Sequence, residues 1–234
     1  IQEDIDAGKA LCNAPLPDWV FKGPVADAGG VHTPAGSWNP STGQFVAVRQ
    51  LPVYARQHFP ESVLGANAPK AETAGKTVFE DESIRLWTLD DHVLIASIKT
   101  KMHAIGGGVI EGLLQAQELA EKEYQGLVVW SPDEMFSAGA DLQGMMPAFI
   151  MGGAKAIEGA EAELQNAMLK LRYSNVPVIS AIRGLALGGG CELAVYSSKR
   201  VAAMESYIGL VEVGVGLVPG AGGLTYIARR AAEN

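Results

Sequence analysis

The sequence predicts an α/β domain in which short apolar strands alternate with helices. Apolar runs of strand length, bounded by turn residues, recur within residues 83–98, 126–131 and 177–182, and stretches of strong helix formers separate them. Two glycine-rich junctions, FSAGAD and LALGGG, each stand between a strand and a helix. In such domains ligands sit beyond the strand C-termini, at helix N-termini.

The elements follow in order. The opening IQEDIDAGKA is acidic and polar, unlike a signal peptide, and a start at Ile1 reads as a piece of a longer protein. Residues 13–75 hold PLPDW, GGVHTPAGSWNPSTGQ and ANAPKAETAG, with little periodicity. Residues 1–75 are therefore expected to be an irregular linker or extension, with a helix end at 1–10 and a short helix over 52–59. The core is expected over 76–234. SIRLWTL and HVLIASI, split by Asp90-Asp91, predict a β-hairpin. VIEGLLQAQELAEKEY predicts a helix, GLVVWS (126–131) a buried strand, 153–172 a second long helix, and PVISAI (177–182) another buried strand. LGGGCELAVYSS starts a helix near Gly189, RVAAM gives a strand, and GLTYIARRAA is helical. No internal repeat is visible.

Composition narrows the function. Hydrophobic residues at 48% and charged residues at 19% fit a folded core. No apolar run reaches the roughly 18 residues of a membrane span. A net charge of −8 argues against a nucleic-acid binder. Cys12 and Cys191 stand in no metal spacing, which fits a reducing, cytoplasmic setting. His32, His58, His92 and His103 show no ligand spacing either. GVGLVPGAGG and GLALGGG lack the full dinucleotide fingerprint, and no G-K-[ST] follows them.

The chemistry gathers at the junctions. Small residues let a ligand approach the backbone, and free N–H groups at a helix start point outward. Two such groups on one oxygen make an oxyanion hole, worth about 2.7–4 kcal/mol per donor. Glu192 falls in the first helical turn after the glycines, and Glu212 lies in the apolar GLVEVGVGLVPGAGG. Alone, Glu192 reads as a first-turn glutamate favoured by the helix dipole by about 0.3–1 kcal/mol. Glu212 alone could pair with Arg229 or Arg230. Together, two carboxylates beside an oxyanion site suit acid–base chemistry next to a carbonyl. Cys191 reads as a small packing residue, and Met135, Met145, Met146 and Met151 as a flexible apolar lining.

FSAGADL (136–142), GLALGGGCELA (184–194) and VEVGVGLVPGAGG (211–223), in this order and spacing, resemble the crotonase (enoyl-CoA hydratase) superfamily over about residues 77–230. The resemblance implies a crotonase-type spiral of ββα units, truncated before the C-terminal helices, because the family continues past the position of Asn234. Those helices complete the acyl pocket and pack subunits into trimers. The resemblance also implies that the N–H groups of Ala140 and Gly189 hold a thioester oxygen. Glu192 then activates the water that adds to C3, and Glu212 delivers the proton to C2. Ala138, Asp141 and Leu142 line the groove of the CoA arm, and Lys101 or Lys99 meets its phosphates. With both carboxylates present, the implied activity is that of a hydro-lyase, hydrating trans-2-enoyl-CoA to 3-hydroxyacyl-CoA in fatty-acid β-oxidation. The alternatives are double-bond isomerisation, thioester hydrolysis, or a non-catalytic fragment of a multifunctional protein. The acyl-CoA thioester is the implied partner, with no cofactor within this chain.

Departures accompany the match. The family's Asn-Ala step before the first long helix is His103-Ala104 here, with GGG at 106–108. About six extra residues lie in the Met/Gly/Ala-rich MMPAFIMGGAKAIEGA, the region that covers the acyl chain in the family. Residues 1–75 resemble the join before a hydratase module in proteins fused to a 3-hydroxyacyl-CoA dehydrogenase, whose parent would use NAD.

Overall fold

The computed structural model describes residues 2–9, 16–47, 49, 51, 52, 56, 74–133 and 135–233. The chain divides into two compact units, Ile1–Thr73 and Ala74–Asn234. In the first, helix α1 spans Gln2–Asp6 and α2 spans Pro24–Asp27. An antiparallel meander follows: β1 (His32–Thr33), β2 (Gly36–Asn39) and β3 (Gln44–Val46). The expected irregular extension is thus partly a sheet. Its turn closes where Gly43, at φ 66°, donates its N–H to Asn39 O at 2.9 Å. Trp38 lies 6.3 Å from Trp19 and 5.4 Å from Phe45 between ring centroids. Strands of two to four residues are too short to show alternation in the sequence. The helix expected over 52–59 lies, save Pro52 and Arg56, outside the described residues.

The second unit begins with β4 (Lys76–Glu80), β5 (Ile84–Thr88) and β6 (Leu94–Ile98), paired antiparallel in that order. The predicted hairpin is β5–β6; β4 is an added edge strand. Helix α3 (Gly107–Glu123) follows. Its buried Val109, Leu113, Ala116 and Ala120 recur at helical spacing and face the sheet core. Burying Leu113 alone contributes roughly 1.5–3 kcal/mol.

Three ββα units then repeat. The first is β7 (Leu127–Val129), β8 (Met135–Ser137) and α4 (Leu142–Arg172). The second is β9 (Val178–Ile182), β10 (Leu185–Leu187) and α5 (Gly189–Tyr196). The third is β11 (Lys199–Ala202), β12 (Tyr207–Gly209) and α6 (Gly223–Glu233). The first strand of each unit extends a six-stranded sheet of order β11-β9-β7-β6-β5-β4, while the second strands form a separate sheet of order β12-β10-β8. Within both sheets the strands of these units pair in parallel. The repetition is spatial and leaves no repeat in the sequence, because each unit buries a different set of side chains.

Helix α4 begins at Leu142 rather than 153. The Asp141 carboxylate caps it, accepting from Gly144 N–H at 3.0 Å. Gly153, at φ 57° and ψ −146°, bends it where the expected helix starts. No helix among the described residues is long and apolar enough to cross a membrane.

Candidate active site

The three glycines of LGGGCELA answer three different crowding problems. Gly188 holds φ 51°, a conformation that favours glycine, and a Cβ there would lie 3.3 Å from Glu212 Oε1. A Cβ on Gly189 would lie 3.3 Å from the amide nitrogen of Ala140. A Cβ on Gly190 would press on Ser137 at 2.8 Å, from both its Cβ and its carbonyl oxygen. Helix α5 therefore starts flush against the 137–140 turn, with a carboxylate beside it.

This approach brings two N–H groups together. Gly189 is the first residue of α5, so its N–H has no carbonyl one turn back within the helix. Ala140 forms an isolated parallel bridge with Ile105. Ile105 N–H donates to Gly139 O at 2.8 Å and Asp141 N–H donates to Ile105 O at 3.0 Å. Bonds from the residues on both sides of Ala140 turn its own N–H to the opposite edge. Two such donors on one oxygen, backed by the dipole of α5, can stabilise a developing oxyanion.

The carboxylates flank these donors. Glu192 is 2% exposed, and its Oε1 accepts from Gly223 N–H at 2.8 Å. Burial pushes its carboxyl above the ordinary carboxylate range; the Gly223 bond opposes this, and the charge of Glu212 adds to it. Glu212 opens the 3-10 turn Glu212–Val215, and its Oε2 is buried without a hydrogen-bond partner. Arg229 and Arg230 both pair with Glu233, so these helix-α6 guanidinium groups meet a carboxylate other than Glu212. A buried polar atom left unpaired in this way marks a place for water or a ligand. Between the two glutamates in electrostatic reach, Cys191 has its thiol pushed up to about 11, by burial first and then by both carboxylates.

The remaining predicted residues divide. Ala138 is half-buried on the turn, its N–H donating to Met102 O at 3.0 Å. Asp141 is occupied in capping α4, and Leu142 is 38% exposed beside it. Lys101 is exposed in the 3-10 turn Lys101–His103. Lys99 instead pairs with Glu80 at 2.7 Å and donates to Asp81 O at 2.6 Å, which ties it to the sheet edge. Met146 and Met151 are exposed on α4, at 50% and 87%.

Sequence reading missed the supports of the site. Gly223 N–H reaches Glu192 from the GAGG run, and Tyr196 OH donates to Gly222 O at 3.1 Å to hold that run. His103, which stands in no ligand spacing along the chain, is 5% exposed and bonded through both ring nitrogens. Its one sequence signal is that it replaces the Asn of the Asn-Ala step.

A family model described as enoyl-CoA hydratase/isomerase matches residues 93–234. The chain is 41% identical over 148 residues to a protein of Rickettsia felis named as a fatty acid oxidation complex trifunctional enzyme, covering 63% of this chain and 20% of that one. It is 40% identical over 105 residues to a crotonyl-CoA hydratase of Syntrophomonas wolfei, covering 44% of this chain and 38% of that one. A solved enoyl-CoA hydratase of Thermoplasma volcanium superposes with a TM-score of 0.58 at 26% identity, over 64% of this chain and 59% of that one. The chain thus spans about a fifth of the Rickettsia relative and under two thirds of the solved hydratase.

Proposed function

The chain belongs to the enoyl-CoA hydratase/isomerase family, and from that premise we propose that it hydrates trans-2-enoyl-CoA thioesters to 3-hydroxyacyl-CoA. The observation that carries this reading is the pair of glutamates. Glu192 is buried, and the partnerless Oε2 of Glu212 lies in the same carboxylate that borders Gly188, next to the Gly189 N–H.

In this reading the thioester oxygen sits between the N–H groups of Ala140 and Gly189, which stabilise the negative charge that develops there as C3 is attacked. A water held between the glutamates gives one proton to Glu192 as its oxygen bonds to C3. Glu212 gives a proton to C2, so the double bond is saturated and one water is consumed. Proton exchange between the two carboxyls restores the starting state. Glu192 suits the base role because a desolvated carboxylate holds a proton more tightly than a solvated one. Turnover then falls as pH drops through a value above the ordinary carboxylate range. Ala138, Asp141 and Leu142 border the turn where the CoA arm would lie, and exposed Lys101 is the lysine left to meet its phosphates. The name of the Rickettsia relative supports placing this step in fatty-acid oxidation.

The test follows crotonyl-CoA by loss of its conjugated thioester absorbance. Glu192→Gln and Glu212→Gln are each expected to lower kcat/KM by about 10²–10⁴-fold with the circular dichroism spectrum unchanged. Less than a tenfold loss in either variant would overturn the paired mechanism. Conversion of a 3-enoyl thioester without hydration would assign isomerisation instead.

A further inference from the structure

The turn that carries Ala140 is fastened by a histidine whose two ring nitrogens both meet acceptors. His103 Nδ1 lies 2.7 Å from Met135 O, and Nε2 lies 3.0 Å from Asp133 Oδ2. A carbonyl oxygen and an ionised carboxylate can only accept, and a neutral imidazole has a single N–H. Both bonds are therefore made together only when the ring carries two protons. Among the described residues Asp133, 63% exposed, is the charged partner of this nearly buried ring; Lys101, on the same turn, is exposed.

The backbone around His103 carries the turn directly. Ser137 Oγ donates to His103 O at 2.7 Å and accepts from Gly139 N–H at 3.1 Å. Ala138 N–H donates to Met102 O, and Ile105 N–H to Gly139 O. Met102 and His103 sit at φ 57° and 49°, a left-handed conformation that persists in such residues only when the surroundings enforce it. The ring bonds grip residues 133 and 135 at the entrance of the same turn.

We propose that His103, as an imidazolium paired with Asp133, is a positioning residue that clamps the 135–141 turn and so aims the Ala140 N–H. The proposal rests on the reading of Ala140 as a thioester donor. The clamp is complete while the ring holds both protons. A ring with a single proton keeps only one of the two bonds, and the turn loosens. Asp133→Asn changes this outcome, because an amide N–H can donate to the unprotonated ring nitrogen and keep both bonds without the second proton.

The experiment uses the full chain labelled with ¹⁵N, together with Asp133→Asn, whose exposed position leaves the fold intact. In the native chain both ring nitrogens are expected to carry protons, one bonded to Met135 O and one to Asp133. In Asp133→Asn the ring is expected to carry one proton, with both bonds and the Ala140 amide shift kept. His103→Ala is expected to move the Ala140 amide shift and, for crotonyl-CoA, to lower kcat by about 10–10²-fold with KM nearly unchanged. A singly protonated ring in the native chain, or an Ala140 amide indifferent to it, overturns the proposal even where turnover is normal. A coupled amide in a chain that neither hydrates nor isomerises an enoyl thioester upholds the clamp and overturns only the reading of Ala140 as a thioester donor.

Discussion

Glu192 sits 2% exposed against Gly223 N–H, and burial raises its pKa. The folded chain therefore binds this proton more tightly than the unfolded chain does. The stability that the group contributes is full below the ordinary carboxylate value and is lost as pH rises through the raised, folded value. At neutral pH the desolvated carboxyl thus works against folding, a cost accepted where a buried base is useful. Glu192→Gln keeps an oxygen for Gly223 N–H and removes the ionisation. Its urea midpoint is expected to exceed that of the native chain at neutral pH, with the gap closing toward about pH 4, the ordinary range of carboxylates. A gap that is absent at neutral pH, or that widens on acidification, would contradict the burial argument.

At the level of the element, α5 and β8 meet through a glycine. A Cβ on Gly190 would stand 2.8 Å from Ser137 Cβ and Ser137 O, and the latter is backbone that cannot rotate away. Gly190→Ala is expected to cost about 1–3 kcal/mol, read as a lower urea midpoint at unchanged slope. It should also push α5 away from the turn that holds Ala140. Retention of full stability would mean that the two elements separate freely, against the close approach described. The capped start and Gly153 bend of α4 follow the same logic, with a single residue deciding where a helix begins or turns.

Across the molecule, the ββα units share the work between two sheets. The larger sheet and helices α3, α4 and α5 supply most of the apolar core, and the smaller sheet, β12-β10-β8, carries the strands from which the functional turns leave. Cys191 reports on the integrity of this arrangement, since it is buried and its thiol is raised to about 11. In the folded chain it should resist alkylation at neutral and mildly alkaline pH, and it should react readily once the chain is unfolded in denaturant. Peptide mapping separates it from Cys12. Rapid modification in the native chain would show that the α5 region opens without global unfolding.

The glycine-rich turns, the alternation of apolar strands with helices, the β5–β6 hairpin and both glutamates are legible in the sequence because each rests on local rules. Glycines tolerate φ 51° at Gly188, apolar runs of strand length bury themselves, and a carboxylate amid valines stands out. Of the three-residue strands in the second unit, β7 is legible because it lies in the apolar run GLVVWS, whereas β8, β10 and β12 are not, since they lie in no such bounded run and gain their identity from neighbours in the sheet. The same holds for the Glu192–Gly223 bond, which joins residues 31 apart, and for the His103 contacts to Asp133 and Met135, which join residues 30 and 32 apart. Sequence alone determined which residue types were available for chemistry and roughly where the chain would turn. The tertiary structure decided which N–H groups lack a carbonyl, which carboxylate loses its water and which ring binds two acceptors, because those properties depend on neighbours that are distant along the chain.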